Sequence, residues 1–240
     1  MITMQRGFKA KLDDVINTDK TVSVKIAISG KDTYEFSCFG LDGNGKLFSE
    51  DFFIFFNNPN SPGNEIALSE GNSDSIFQVN LRKLPTGLKK LAFTINIEGK
   101  GVMGDIKLSS IKINQNNSTA YQLDLKGSDF QKQKAIIALE IYNKDVWRVS
   151  AVANGFNGGL ADLLKHYGYD DNIITEHQSS YNTQQSPQPR KISQTTPRNE
   201  TPPPVHPASQ PPENEVQVHP VHRPKPEDDD YFEPTPGDWI

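Results

Sequence analysis

Val22, Val24, Ile26 and Ile28 alternate with Ser23, Lys25 and Ala27, the period of two expected of a strand with one buried face. Leu91, Phe93, Ile95 and Ile97 repeat the pattern around Thr94 and Asn96. Ile111 with Ile113, Leu123 with Leu125, and Ile137, Leu139 and Ile141 give shorter pieces of the same kind, and Trp147, Val149 and Ala151 close the series. Asp42-Gly43-Asn44-Gly45 lies between the apolar stretches 36–41 and 47–56, and Asn143-Lys144-Asp145 precedes the last of them. Both predict tight hairpins, because these residue types tolerate positive φ. About nine or ten short, regularly spaced strands predict an all-β fold, an antiparallel β-sandwich rather than an α/β layer. One helix is expected, late in the chain: Leu160, Leu163, Leu164 and Tyr167 recur at helical spacing and Gly168 is placed to end it.

The pattern stops near residue 170. Apolar residues make up only 35% of the chain, and before Asp171 the only prolines are Pro59, Pro62 and Pro85. The first 170 residues are therefore richer in core formers than the average and long enough to bury a core. Gln184-Gln185-Ser186-Pro187-Gln188-Pro189, Thr201-Pro202-Pro203-Pro204 and Pro211-Pro212 follow, a composition that cannot offset the entropy of ordering. The expected organisation is a sandwich domain over 1–170 and a disordered, proline-rich tail over 171–240. The tail ends in acid and aromatic residues, Asp228-Asp229-Asp230-Tyr231-Phe232 and Gly237-Asp238-Trp239-Ile240. Such a segment suits docking, either on a separate partner or on its own domain.

The formal charge of -5 gives no broad attraction to nucleic acid, which is not an expected partner. Cys38 is the only cysteine, so no disulfide framework exists and a reducing, cytoplasmic setting is expected. The first residues carry no apolar core of a signal peptide, and the run 52–56 is far too short for a transmembrane segment. Nothing assembles a catalytic set, and no enzyme is expected. Cys38 sits between Phe36 and Phe39 as a buried strand thiol. Alternation puts Glu140 on the face opposite Leu139 and Ile141, in an exposed or end-of-sheet polar position. Asp42-Gly43-Asn44-Gly45-Lys46 starts like a helix-loop-helix calcium loop but has Lys46 at its fifth position and Phe53 at its twelfth, so it reads as a turn. His219 and His222 have no second cluster to complete a coordination shell.

Phe52-Phe53-Ile54-Phe55-Phe56-Asn57-Asn58 followed by Ser61-Pro62-Gly63 resembles a signature of the TerD family, a group of bacterial stress-response sandwiches. Leu139-Glu140-Ile141-Tyr142, Trp147-Arg148-Val149, Ala153-Asn154-Gly155-Phe156 and Gly159-Leu160 are similar to that family's closing pattern, and Gln5-Arg6-Gly7-Phe8-Lys9-Ala10-Lys11-Leu12 looks like its TerA-type members. The resemblance covers residues 1 to about 170. It implies a calcium site in acidic loops at one end of the sheets, with Asp51, Asn57, Asn58, Glu70 and Asp74 as the metal-ligand set; the asparagines could instead bond a turn while the acids face solvent. Where the family carries a D-x-D-x-D run, this chain has Lys31-Asp32-Thr33-Tyr34-Glu35. A lysine there opposes a divalent ion, so Ca2+ affinity is expected to be weakened or lost. The implied function is a binding or scaffold module of a tellurium-resistance or general stress-response system, its partners being other proteins of that assembly and its tail a tether or docking peptide. The rival reading is a calcium-dependent sensor or ligand-binding sandwich with peripheral membrane association.

Overall fold

In the computed structural model, residues 1–71 and 74–169 are described; the proline-rich segment, its histidines and the acidic-aromatic terminus lie outside them. The described residues form β1 (Ile2–Met4), β2 (Lys9–Lys11), β3 (Val22–Ser29), β4 (Thr33–Leu41), β5 (Phe53–Ile54), β6 (Ile66–Glu70), β7 (Asp74–Val79), β8 (Lys90–Glu98), β9 (Leu108–Gln115), β10 (Ser118–Leu123), β11 (Ala135–Lys144), β12 (Val146–Phe156) and one helix, α1 (Leu160–His166). Two six-stranded sheets result. The first has the order β1-β10-β9-β3-β7-β6 and the second β2-β12-β11-β8-β4-β5.

The expected sandwich is present, with departures that have physical causes. Pairing is antiparallel except between β1 and β10, which run parallel. β1 and β10 are far apart along the chain, so no tight hairpin imposes an antiparallel pairing on them. The chain then turns at Gly7, where φ is +86°, and β2 joins β12 at the edge of the second sheet. On the opposite side β5 borders the second sheet, while residues 59–60 lie along β6 of the first through the Asn60–Ala67 bridge and a 2.7 Å bond from Leu68 N to Pro59 O. Each side of the sandwich thus carries a segment that passes from one sheet to the other, which covers strand edges that would otherwise invite pairing.

The stretch 47–56 is not one long strand, as its apolar content suggests. Leu47 bridges Leu41 of β4, but a 3-10 turn over Glu50–Phe52 interrupts the ladder, and pairing with β4 resumes at Phe53 and Ile54. The polar Ser49-Glu50-Asp51 insertion takes the chain out of register. The Asn143–Asp145 hairpin forms as expected, with Lys144 opposite Val146 and Asp145 at φ +67°.

Three layers are stacked, not two. The inner faces of both sheets meet in one core that includes Val24, Ile26, Phe77, Phe93, Ile111 and Leu139. The outer face of the second sheet buries a further cluster, in which Phe39, Phe53, Phe55 and Ile137 meet Leu163, Leu164, Tyr167 and Tyr169. Phe39 stacks on Phe53 at 4.4 Å, Phe53 on Phe55 at 4.5 Å, and Tyr167 tilts against Phe39 at 4.7 Å. Phe52 and Ile54 point inward while Phe53 and Phe55 point outward, which is why this stretch is apolar throughout. α1 ends on Gly168 at φ +91°, with Gly168 N bonded to Lys165 O and Tyr169 N to Leu164 O. This left-handed cap turns Tyr169 back onto the sheet.

Candidate functional site

β3, β6, β8, β10 and β12 finish, and β4, β7, β9 and β11 begin, at the same end of the sandwich. Their connections form a loop end. Along the helix-facing side of the second sheet, β4 and β8 set Phe39 opposite Ala92, Ser37 opposite Thr94 and Glu35 opposite Asn96. The surface therefore changes from aromatic to polar on approaching that end. Ser37 and Thr94 share a buried hydroxyl bond of 2.7 Å, and Asn96 Nδ2 donates to Glu35 Oε2 at 2.6 Å. A depression of about 290 Å³ opens there, bounded by Glu35, Asn96, Glu98, Lys134, Gly158 and Leu160.

Burial pushes the Glu35 carboxyl up to about 7; the Asn96 bond works against the rise, and the nearby carboxylates of Glu98 and Glu70 add to it. Three lysines cross-link the same end. Lys31 Nζ lies 2.9 Å from Asp105 Oδ2, joining the β3–β4 loop to the β8–β9 connection. Its pKa is raised by the hydrogen bond and charge of Asp105, with Asp32 contributing. Lys25 Nζ meets Asp74 Oδ2 at 2.6 Å, and Lys134 Nζ donates to Gly99 O at 3.0 Å. The Asp32 carboxylate packs against Gly101, and a side chain at 101 would have to displace it.

The five residues expected as metal ligands lie on three segments: 51–58, the end of β6 and the start of β7. Asp51 is exposed in the 3-10 turn before β5, beside a Phe52 that backs onto Gly40. Gly40 is five residues along β4 from Glu35, roughly 16 Å at strand rise. Asn57 is exposed in the turn after β5. Asn58 Nδ2 donates to Phe53 O at 2.9 Å, and its main chain exchanges bonds with Phe55. Extending the Asn60–Ala67 bridge carries Asn58 and Asn57 toward Glu70, at the end of β6. Asp74 opens β7 and is held by Lys25. Among the described residues no three carboxylate, imidazole or thiol groups converge as a metal site would require.

Two other groups that the sequence singles out are in structural use. Cys38 is fully buried in the inner core, and burial drives its thiol pKa far up. Glu140 forms an ion pair with Lys90 Nζ at 3.1 Å on the helix-facing side. Glu35 belongs to the loop-end site, although in the sequence it is only the last residue of the Lys31-Asp32-Thr33-Tyr34-Glu35 run; the β4–β8 register that sets it opposite Asn96 cannot be read from local pattern.

The family model described as TerD domain matches residues 1–167. The chain belongs to the TerD family. Its relatives include "Tellurium resistance protein TerA" of Alcaligenes sp, 30% identical over 118 residues, 48% of this chain and 34% of that protein. The chain thus spans about a third of that relative's length. "General stress protein 16U" of Bacillus subtilis (strain 168) is 29% identical over 192 residues, 70% of this chain and 97% of that protein. The crystal structure of unknown function protein SAV2460 superposes with a TM-score of 0.52 at 11% identity, covering 65% of this chain and 100% of that one; this likeness concerns the fold alone. No helix among the described residues is long and apolar enough to cross a membrane.

Proposed function

We propose that this TerD domain is a non-enzymatic binding module of a cytoplasmic tellurium-resistance or stress-response assembly, and that the segment beyond residue 170 tethers or docks a partner protein. The observation that carries the reading is the use made of the chemically reactive side chains. Cys38 lies in the core, Glu140 is neutralised by Lys90, the loop-end carboxylates of Asp74 and Asp105 bond lysines, and Glu35, which lines the depression, accepts a bond from Asn96. A nucleophile, a base and an orienting group around one reacting position would leave such groups facing a cleft. Relatives named for tellurium resistance and general stress support the setting. A long attached segment raises the local concentration of whatever it binds without a second folded domain.

Affinity capture from a bacterial lysate, with the full chain and a chain ending at residue 170 side by side, tests this. At least one protein should be retained by the full chain and lost with the shortened one. Identical captures from the two would overturn the tethering role.

A further inference from the structure

We infer that lysine ammonium groups, Lys31 foremost, occupy the role of a bound divalent cation at the loop end of this domain, so that its stability is independent of calcium. A bound calcium ion ties loops together by drawing six to eight oxygen ligands, several of them carboxylates, onto one point. The loops of this chain are tied at separate points instead, each by a positive side chain. Lys31 Nζ links the β3–β4 loop to Asp105 at 2.9 Å, Lys25 Nζ holds Asp74 beside the β6–β7 hairpin at 2.6 Å, and Lys134 Nζ holds Gly99 O at 3.0 Å.

The oxygens that remain are too few for a divalent ion: Asp32 Oδ2 is buried without a hydrogen-bond partner, but it lies within range of the Lys31 ammonium, and no three acidic, imidazole or thiol groups converge among the described residues. Asp74 is committed to Lys25, and Asp51 stands near the far end of β4. Lys31 bears directly on the position. Its ammonium is bonded to Asp105 and lies within electrostatic range of Asp32, where a divalent ion would have to displace a charge of its own sign. The Lys31 and Asp105 side chains are 65% and 34% exposed, so the pair alone is a weak clamp. Reversing the charge at 31 is a far stronger perturbation, because it sets a third carboxylate beside Asp105 and Asp32.

Thermal unfolding of the full chain, in chelator and in roughly millimolar calcium, reads the outcome. The wild type should melt at the same temperature in both. K31E should melt several degrees lower in chelator and recover in calcium, because a cation then has both a vacancy and an added ligand. K31Q, which keeps the size of the group without its charge, should lose only about 1–2 °C and ignore calcium, and it serves if K31E does not fold. A wild-type transition that rises with calcium would overturn the inference. So would a K31E protein that is as stable as wild type in chelator, or one that stays destabilised when calcium is added, or a K31Q protein stabilised by calcium.

Discussion

Glu35 is a carboxyl that the folded chain keeps largely out of water, and its chemistry gives the loop end a pH response. In the unfolded chain such a group ionises near 4.5, and in the folded domain burial moves this to about 7. Between those values the native state keeps a proton that the unfolded state has released, so stability falls as pH rises through the window and the loss is complete above it. The full effect is at most about 3 kcal/mol. Glu35→Gln still accepts the Asn96 bond and removes the ionisation. It should melt several degrees above wild type at pH 8 and together with it near pH 4.5, as calorimetry across that range will show. Ala153 is a second residue whose role depends on geometry. It sits in β12 at φ +48°, inside the bulge where Ile137 pairs with Asn154 but Leu139 pairs with Ala151. A strand position that favours β-branched side chains elsewhere is hostile to them here. Ala153→Val should therefore cost more than about 2 kcal/mol in urea unfolding, whereas Ala153→Gly should be tolerated.

Among the elements, sequence alone was most informative where one face of a strand is polar. β3 alternates Val22, Val24, Ile26 and Ile28 with residues that look away from the core, and it forms as its pattern predicts. The second sheet hides this signal because both its faces are covered. β8 is buried from Leu91 to Ile97 and β4 from Phe36 to Leu41, and the outward Ser37, Thr94 and Asn96 are buried although polar, so the alternation of β8 reads as one solvent face and does not reveal a third layer. β6 and β7 are short and rich in Ser, Glu and Gln, which left them without a clear apolar stripe. The helix was legible from Leu160, Leu163, Leu164 and Tyr167, but what it covers was not. Tyr167 is 2% exposed and packs on Phe39. Tyr167→Ala should destabilise the domain by about 3 kcal/mol or more, with the loss visible as a lower urea midpoint. A change confined to helical circular dichroism would mean that α1 is an appendage and not a layer.

For the whole molecule, fold class and family were readable from the first 170 residues because strand period, turn residues and the phenylalanine-rich motif all pointed the same way. The candidate site was only half readable. Its acids could be seen in the chain, but which of them meet lysines depends on loops brought together by pairings such as Thr33 with Glu98 and Ala27 with Asp74. The resulting account is of a sandwich whose second sheet is covered by the segment up to Tyr169, with partner attachment proposed for the remainder. Its central claim is that the folded unit includes α1 and needs nothing beyond it. Calorimetric unfolding of the full chain, a chain ending at residue 170 and a chain ending at residue 158 tests this most directly. The account predicts one shared transition temperature for the first two and no cooperative transition for the third, which would expose Phe39, Phe53 and Phe55 to water. A chain ending at 170 that fails to unfold cooperatively, or one ending at 158 that melts with the full chain, would contradict it.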